Sequence, residues 1–333
     1  MKKIVVTGGT GFLGKRLSEK LSEIGYDVTA LGRNDRVGIE LEKNGVRYER
    51  VELADKKKLN EIFRNVDIVF HCAAKSSLWG KYEEFYAANV IGTDNVIDAV
   101  KINKVSRMVY VSSPTIYYDN EDFNDFNKVE KKPKKFINYY AETKWLAQEA
   151  VDRSYIEGLN TISIIPRGIF GPGDTSIFPR LLKINERVGI PLIKNGEHII
   201  ELTYIDNVVD ALILCIETKE SNFGKKYFIT NNERFVFKEL IKAAFKEVNV
   251  KPKFKKKNYI ALKVVATIIE SFYKLFGICK EPPITKYSVE ILYRNQMFDI
   301  TNSLNELGYK PKISVEDGIK LFGEWWLKNG KEV

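Results

Sequence analysis

The chain begins Met1-Lys-Lys3-Ile4-Val5-Val6-Thr7-Gly8-Gly-Thr-Gly11-Phe-Leu-Gly14. The apolar run predicts a buried strand, and the glycines after it predict a tight turn into a helix. Gly8 allows such a turn, Gly11 lets the backbone approach a phosphate, and Gly14 lets the helix pack close to the strand. The stretch therefore predicts a loop that binds the pyrophosphate of a dinucleotide, with an ordinary glycine-rich turn as the alternative.

Composition limits the classes of protein to which the chain can belong. Its 333 residues suffice for one large domain or two medium ones, and a hydrophobic content of 44% is normal for a packed globule. The cysteines Cys72, Cys215 and Cys279 have no paired spacing, which argues against a disulfide framework and a zinc site. Since His71 and His198 are the only histidines, a multi-histidine metal centre is excluded and we predict no metal.

Charge and hydropathy add two further exclusions. The formal net charge of +9 comes from lysines spread along the chain, and no nucleic-acid-binding motif accompanies it, so we expect no nucleic acid partner. The N-terminal apolar run is too short for a signal peptide, and no uncharged stretch reaches the ~20 residues that a membrane span needs. We therefore expect a cytoplasmic protein.

Strand and helix patterns alternate through the first half of the chain. This alternation predicts an α/β fold with a doubly wound parallel sheet of Rossmann type, covered by helices on both faces. We expect this dinucleotide-binding domain over residues 1–167 and a smaller, mostly helical substrate lobe over residues 168–333, with residues 197–218 packing back on the first domain. Strands are predicted at residues 3–7, 27–31, 47–51, 68–71, 108–112 and 161–165, with short strands of the second lobe at 199–203 and 226–229.

The end of the second predicted strand bears on the choice between the two nicotinamide dinucleotides. NAD sites place an acid there for the ribose hydroxyls, whereas NADP sites place a basic residue for the 2′-phosphate. The sequence here is Leu31-Gly32-Arg33-Asn34, and no acid occurs before Asp35. Because arginine can donate two hydrogen bonds to one phosphate, Arg33 favours NADP(H). The alternatives are NAD(H) and a solvated surface arginine.

A tyrosine and a lysine four residues apart predict the acid–base chemistry. Tyr140 and Lys144 lie one helical turn apart on the same face of a predicted helix. A free phenol has a pKa of about 10, and a nearby ammonium lowers it. We therefore expect Lys144 to lower the pKa of Tyr140 and to bind the nicotinamide ribose, while Tyr140 exchanges a proton with a substrate oxygen. Tyr139 has Thr143 at the matching distance and is the less suitable phenol.

Three polar residues are further candidates for the site. Ser112 and Ser113 follow a predicted strand, where a hydroxyl could hold the substrate oxygen or cap its own loop. Asn89 lies in a helical stretch, where it could hold a water for proton relay or simply face solvent.

In this order along the chain, several motifs resemble the extended short-chain dehydrogenase/reductase, or NAD-dependent epimerase/dehydratase, superfamily. They are Thr7-Gly8-x-x-Gly11-x-x-Gly14, His71-Cys-Ala-Ala74, Asn89-Val-x-Gly-Thr93, Ser112-Ser113 and Tyr140-x-x-x-Lys144. Three strings are similar to 3β-hydroxysteroid dehydrogenases and sterol-4-carboxylate 3-dehydrogenases: Tyr110-Val-Ser-Ser-Pro-Thr-Ile-Tyr117, Pro166-Arg-Gly-Ile-Phe-Gly-Pro172 and Thr203-Tyr-Ile-Asp-Asn207. Two further strings look especially like bacterial 2-alkyl-3-oxoalkanoate reductases: Ala74-Lys-Ser-Ser-Leu-Trp-Gly80 and Glu281-Pro-Pro-Ile-Thr285.

The resemblance implies roles for individual residues. Ser113, Tyr140 and Lys144 would be catalytic, and Glu52 stands before the adenine-contacting position where many members have aspartate. The residues implied to bind the cofactor are Gly8, Thr10, Gly11, Phe12, Leu13, Arg33, Glu52, Leu53, Ala73, Ala74, Lys75, Ser112, Tyr140, Lys144, Pro166, Gly168 and Ile169.

A lysine-rich segment and the helix predicted after it leave three interpretations open. Residues 251–257 contain five lysines, and residues 258–277 combine a broad apolar face with a face that carries Lys263, Glu270 and Lys274. The helix could cover a long apolar substrate pocket, lie on an anionic membrane surface as a peripheral contact, or pack in the core of the second lobe.

The preferred function is an NAD(P)-dependent oxidoreductase acting on a 3-oxo or 3-hydroxyl group of a lipid-like small molecule, such as a long-chain 2-alkyl-3-oxoalkanoate or a sterol-like compound. The alternatives are a nucleotide-sugar epimerase or dehydratase that keeps NAD tightly bound, and a dinucleotide-binding sensor without turnover. The resemblance also implies a homodimer formed through helices around residues 83–101 and 138–153.

Overall fold

The computed structural model describes residues 1–119, 121–126 and 131–330. The strands of this part of the chain are β1 (Lys3–Thr7), β2 (Asp27–Gly32), β3 (Arg47–Arg50), β4 (Ile68–His71), β5 (Arg107–Val111), β6 (Phe123–Phe126), β7 (Thr161–Pro166), β8 (Ile169–Phe170), β9 (Ile190–Leu192), β10 (Ile199–Ile200), β11 (Thr203–Tyr204), β12 (Lys226–Ile229), β13 (Phe235–Val236), β14 (Phe254–Lys256) and β15 (Gln296–Phe298).

The α-helices of the same residues alternate with the strands of the first half and dominate the second. They are α1 (Phe12–Glu23), α2 (Asp35–Lys43), α3 (Lys56–Ile62), α4 (Tyr82–Phe85), α5 (Gly92–Ile102), α6 (Tyr139–Ile156), α7 (Phe178–Arg187), α8 (Ile205–Leu214), α9 (Phe237–Glu247), α10 (Tyr259–Leu275), α11 (Lys286–Ile291), α12 (Thr301–Asn305) and α13 (Val315–Asn329). A π-helical segment, Tyr86–Ile91, joins α4 to α5, and a 3₁₀ turn, Pro114–Tyr117, follows β5.

A parallel seven-stranded sheet, in the order β12-β7-β5-β4-β1-β2-β3, forms the centre of the described structure. The predicted doubly wound sheet is confirmed, and the six strands predicted in the first half differ from those observed by at most one residue at an end. Strand β12 lies beyond the expected boundary at residue 167, yet it pairs with β7 at the edge of this sheet. The main sheet therefore draws one strand from the second half of the chain.

Both faces of the sheet are buried, which explains the nearly continuous apolar strands. Along β1, Val5 faces the helices α3, α5 and α6, while Ile4 and Val6 face α1 and α8. Successive side chains of a strand point to opposite faces, so a strand covered on both sides needs apolar residues at every position. Each fully buried valine or isoleucine contributes roughly 1.5–3 kcal/mol relative to an exposed one.

Helix α8, which lies within residues 197–218, packs against α1 of the first half of the chain. Arg16 of α1 donates two hydrogen bonds to the Asp206 carboxylate, from Nε to Oδ1 at 2.5 Å and from Nη2 to Oδ2 at 3.0 Å. The single strand predicted at 199–203 is instead two strands, β10 and β11, which belong to different sheets. Strand β10 joins a four-stranded sheet in the order β13-β10-β15-β6, whereas β11 pairs with β8.

Helix α10 carries its apolar residues on the outside of the molecule. Ile260 is 69% exposed, Phe272 is 52% exposed and Leu275 is 80% exposed. Packing of this face in the core, one of the three interpretations of the sequence, is therefore wrong. Among the helices of the described residues, none is both long enough and apolar enough to cross a bilayer.

His71, at the end of β4, joins three elements through a buried hydrogen-bond chain. Its Nδ1 lies 2.6 Å from Thr7 Oγ1, and its Nε2 lies 2.9 Å from Thr93 Oγ1. The Thr93 hydroxyl donates to the carbonyl of Asn89 at 2.6 Å, so it accepts from His71 Nε2 and the neutral ring accepts at Nδ1 from Thr7. Burial, reinforced by the charge of Lys144, lowers the pKa of His71 to about 3.

Because His71 is buried and neutral in the folded protein, we expect the free energy of unfolding to decrease as the pH falls. Between pH 6.5 and about 3 the unfolded chain binds a proton at this position that the folded chain does not, so unfolding becomes easier as the pH falls. From pH 6.5 to 5 the contribution of one such histidine is about 2 kcal/mol. Urea unfolding of the wild type and of His71→Gln at both pH values measures it. The variant should lose about this much of the pH dependence, and equal pH dependence in both proteins would contradict the assignment.

Candidate active site

The glycine turn after β1 brings three backbone segments into contact. Gly8 has φ +69°, and a Cβ there would lie 2.7 Å from the backbone of Ala73, which follows β4. A Cβ on Gly14 would lie 2.2 Å from the carbonyl oxygen of Gly8. Gly11 begins α1 without a side-chain cap, so the first turn of a twelve-residue helix presents N–H groups at the turn. This geometry suits a pyrophosphate.

The end of β2 presents an arginine, while the next acid is already bound by neighbouring side chains. Arg33 is exposed immediately after β2. The Asp35 carboxylate accepts a hydrogen bond from the Tyr48 hydroxyl at 2.9 Å and forms an ion pair with Arg50. Thr10 of the glycine turn packs against Gly32, since a Cβ on Gly32 would lie 2.2 Å from Thr10 Oγ1.

The residues after β3 form the side of the site predicted to hold an adenine. The carbonyl of Leu53 accepts a hydrogen bond from Asn95 Nδ2 at 2.7 Å, and its side chain lies against Gly92. Glu52 is exposed. Asn95 was not predicted from the sequence. Asn95 lies one turn after Gly92 in α5, which faces the loop after β3. This position was the available indication of the contact.

The buried amide of Asn89 fixes the loop after β4. Its Oδ1 accepts from the Lys75 backbone N–H at 2.7 Å, and its Nδ2 donates to the Lys75 carbonyl at 3.2 Å and to Thr143 Oγ1 at 3.0 Å. These bonds engage both ends of the amide. Asn89 therefore positions the segment Ala73–Ala74–Lys75 against α6, and the expectation of a solvent-facing asparagine is wrong.

Tyr140 and Ser113 meet at the carboxyl edge of the sheet. Tyr140 occupies the first turn of α6, which Asn138 caps by accepting from the Ala141 N–H at 2.8 Å. The Ser113 hydroxyl lies 2.8 Å from Thr115 Oγ1 and near enough to the Tyr140 phenol to favour its ionised form. Burial is the larger influence and raises the pKa of Tyr140 to about 12. The phenol is thus protonated at neutral pH.

Lys144 is held on the sheet side of Tyr140. Its Nζ donates to the carbonyl of Val111 at 2.7 Å and lies 4.0 Å from the centre of the Tyr110 ring. Burial lowers the pKa of Lys144 to about 7. The expectation that Lys144 lowers the pKa of Tyr140 is not met, because desolvation is the dominant influence on both groups.

Other predicted cofactor residues lie along the same edge. Ser112 follows β5, and its buried Oγ has no hydrogen-bond partner among the described residues. Its backbone N–H donates to the Ile164 carbonyl of β7, the strand that ends at Pro166. Gly168, with φ +52°, lies against Leu202 and leads into Ile169 of β8. The buried hydroxyl of Ser112, which has no partner among the described residues, fits a polar ligand at the ends of these strands.

A cavity of about 620 Å³ lies against the start of α6, where Tyr139 and Glu142 line it and Tyr140 does not. It lies between the loop after β4, the start of α6 and the region from α10 to α11. Its aromatic and aliphatic lining includes Trp79, Phe136, Tyr139, Tyr273 and Ile278. Trp79 joins the two halves of the wall, since its Nε1 donates to the Ile278 carbonyl at 2.8 Å.

The sequence analysis missed Tyr287, a neighbour of Tyr140, and Arg167, which acts on Tyr287. Tyr287, which lines the cavity, raises the pKa of Tyr140 electrostatically. Arg167 hydrogen-bonds Gln296 Oε1, and its positive charge favours the ionised form of Tyr287. Arg167 lies within the family-like string 166–172, and Tyr287 lies two residues after the string 281–285. Their closeness to these strings was the only feature of the sequence that pointed to either residue.

Comparison with known proteins tests the predicted family. Residues 4–229 match the NAD dependent epimerase/dehydratase family. A 2-alkyl-3-oxoalkanoate reductase of Stenotrophomonas maltophilia (strain K279a) is 33% identical over 323 residues, which cover 96% of this chain and 97% of that protein. Isoform 1 of the 3beta-hydroxysteroid-dehydrogenase/decarboxylase of Arabidopsis thaliana is 32% identical over 346 residues, which cover 95% of this chain and 77% of that protein.

A solved structure supports the fold independently. The UDP-glucuronic acid 4-epimerase of Bacillus cereus, in complex with NAD, has a TM-score of 0.76 at 19% identity, covering 98% of this chain and 96% of that one. The likeness confirms the Rossmann-type fold. The family match spans more than half of the sequence, and both relatives above belong to the two predicted groups of enzymes. The chain therefore belongs to the NAD dependent epimerase/dehydratase family.

Proposed function

We propose that this protein is an NAD(P)-dependent oxidoreductase that reduces a 3-oxo group, or oxidises a 3-hydroxyl, on a lipid-like substrate. The observation that carries the proposal is that Lys144 of α6 reaches the carbonyl of Val111 at the end of β5, which brings Tyr140 and Ser113 to the edge of the sheet where the glycine turn lies. The names of the two relatives support the reaction, since one is a 3-oxoalkanoate reductase and the other a 3beta-hydroxysteroid dehydrogenase. A long-chain 2-alkyl-3-oxoalkanoate or a sterol-like compound is the proposed substrate class.

The glycine turn, Leu53, the segment 73–75, Ser112 and the segment 166–169 would hold the dinucleotide. When bound, a nicotinamide dinucleotide supplies or accepts the hydride. Ser113 would donate a hydrogen bond to the substrate oxygen and fix its position beside Tyr140. The Bacillus cereus epimerase, which has the same fold, was solved in complex with NAD, and this supports a nicotinamide cofactor for the present protein.

Tyr140 is protonated at neutral pH and is proposed as the proton donor. In the direction of reduction, negative charge develops on the substrate oxygen, and the phenol releases its proton to that oxygen. Lys144, whose ammonium has its pKa lowered to about 7, would hydrogen-bond the ribose and stabilise the phenolate left behind. In the reverse direction the phenolate would remove the proton from the alcohol.

NADP(H) is the proposed cofactor, with NAD(H) as the alternative. Arg33 stands exposed at the end of β2, where a 2′-phosphate is bound in folds of this type. Asp35, which would favour free ribose hydroxyls, is bound by Tyr48 and Arg50. A phosphate would therefore meet a guanidinium there, and the nearby carboxylate is already neutralised.

Substrate binding is assigned to both halves of the chain. The cavity takes Trp79 and Tyr139 from the first 167 residues and Tyr273 and Tyr287 from the expected second lobe. We propose that residues 168–333 supply the greater part of substrate selectivity, as the division into two domains predicts. The homodimer through residues 83–101 and 138–153 stays a prediction.

Tyr140→Phe should lower kcat by about 100-fold or more, because a general acid contributes roughly 10²–10⁴ to the rate. The dissociation constant of the dinucleotide should stay within about twofold, which fluorescence titration of NADPH measures. Tyr155→Phe is the matched control, since it removes an exposed phenol hydroxyl from the same helix away from the cavity. Full turnover by Tyr140→Phe, or an equal loss in both variants, would remove Tyr140 from the mechanism.

Arg33→Ala should weaken NADPH binding by about 10- to 100-fold while leaving NADH nearly unchanged, because hydrogen bonds to a charged phosphate are among the strong ones. Arg64→Ala, which removes an exposed arginine near Lys3 at the other end of β1, is the control. Equal weakening of both dinucleotides, or of neither, would argue against a 2′-phosphate at Arg33.

A substrate panel separates the proposed function from its alternatives. Purified protein is offered NADPH or NADH with 3-oxo acids of increasing chain length, and separately UDP-glucuronic acid or UDP-glucose without added cofactor. The proposal expects oxidation of the reduced dinucleotide with kcat/KM rising with chain length. Conversion of a nucleotide sugar with tightly bound NAD, or dinucleotide binding with no turnover of any ketone, would contradict it.

A further inference from the structure

Helix α10 is oriented with Lys263 and Glu270 toward the protein. Lys263 Nζ lies 2.8 Å from Glu290 Oε1, and Glu290 is 1% exposed. Glu270 is also buried, accepts from the Lys286 backbone N–H at 2.7 Å and pairs with the Lys286 ammonium at 3.3 Å. The two charged side chains are thus used to attach α10 to α11.

The opposite side of α10 carries no charged residue. Positions three and four apart fall on one side of a helix and here form a continuous strip. We call this strip the outer face of α10; it consists of Ile260, Ala261, Val264, Val265, Ile268, Ser271, Phe272, Leu275 and the following Phe276, all of them exposed. A surface helix of a globular protein normally has the reverse arrangement, so this face is built to contact something apolar.

The segment immediately before α10 is strongly basic. Its lysines Lys251, Lys253, Lys255, Lys256 and Lys257 are all exposed, and the sequence from 251 to 269 contains no acidic residue. Strand β14 lies within this basic segment and pairs with β9, which fixes the lysines beside the start of α10. The basic segment therefore adjoins the start of the outer face of α10 along the chain.

We propose that the outer face of α10 and the basic segment 251–257 dock on a lipid bilayer with anionic headgroups. Apolar side chains of an interfacial helix enter the boundary between headgroups and acyl chains, and neighbouring lysines are attracted by the negative surface. A second copy of this chain is the less suitable occupant. An isologous contact through α10 would bring two basic segments, or one basic segment and Lys274, into proximity with like charge.

Docking through the outer face would leave the cavity on the protein side of α10. Tyr273 and Lys274, and Ile278 just beyond α10, line the cavity together with Glu270, which is bound to α11. The proposal therefore concerns attachment of the protein to the bilayer and does not depend on the route by which a substrate reaches the cavity. Bilayer binding itself requires no turnover, so it can be measured whether or not the proposed reductase activity holds.

Vesicle co-sedimentation of the full chain tests the proposal. The probes are vesicles of phosphatidylcholine alone and of phosphatidylcholine with phosphatidylglycerol, at low and high salt. The wild type should bind the anionic vesicles, and binding should weaken with salt. Ile268→Glu with Phe272→Glu should reduce the partition coefficient by about 10-fold or more, because both residues would otherwise be buried in the interface. Lys255→Gln, Lys256→Gln and Lys257→Gln combined should reduce it by about 10- to 100-fold.

Matched controls separate docking from a general effect of charge or exposure. Ile102→Glu with Ile156→Glu places two glutamates at exposed isoleucines of α5 and α6. Lys57→Gln, Lys104→Gln and Lys219→Gln remove three exposed lysines from other parts of the chain. Both controls should bind vesicles like the wild type, and all variants should keep the wild-type melting temperature and NADPH affinity.

Two results would overturn the proposal. One is wild-type protein that stays in the supernatant with every vesicle. The other is a dimer in sedimentation equilibrium that Ile268→Glu with Phe272→Glu converts to monomer, with equal vesicle binding before and after, because the outer face would then be an interface between copies of the chain.

Discussion

The close approach of backbone segments at the end of β1 is the constraint on which the site depends. The carbonyl of Gly8 lies where a Cβ of Gly14 would have to be, and Gly8 itself lies against the backbone after β4. Side chains at these positions would force β1, α1 and the Ala73 segment apart. Because these contacts exist, the N–H groups of α1 and the ends of β4, β5 and β7 share one edge, where Ser113 and Tyr140 also meet.

Burial at this edge determines which groups carry protons. It raises the pKa of Tyr140 to about 12 and lowers that of Lys144 to about 7, so the phenol keeps its proton at neutral pH while the amine is close to its midpoint. The Lys144 ammonium is stabilised by the Val111 carbonyl and the Tyr110 ring. Tyr140 can therefore donate a proton to a substrate oxygen, and the ammonium form of Lys144 would stabilise the phenolate that remains.

The features that could be predicted from the sequence are those contained within one short segment of the chain. The glycine turn and the spacing of Tyr140 and Lys144 each lie within one strand–turn–helix or one helix turn, so local periodicity was sufficient. The pKa of Tyr140 depends on burial and on Tyr287, which is distant along the chain, and no local pattern reports it. For α10 the sequence showed two different faces, but which face met the protein depended on Glu290 and Lys286 of another helix. Likewise, short β12 resembled the other small strands of the second half, and only its pairing with β7 shows that it extends the main sheet.

Deuterium transfer tests the central claim most directly, namely that this edge carries hydride exchange between a dinucleotide and a substrate carbon. NADPH deuterated at C4, prepared with the label on either face, is incubated with the protein and a long-chain 2-alkyl-3-oxoalkanoate, and the product is analysed by mass spectrometry. One of the two labelled cofactors should yield a 3-hydroxy product with a single deuterium at C3. A product without deuterium from both labelled cofactors would contradict the account.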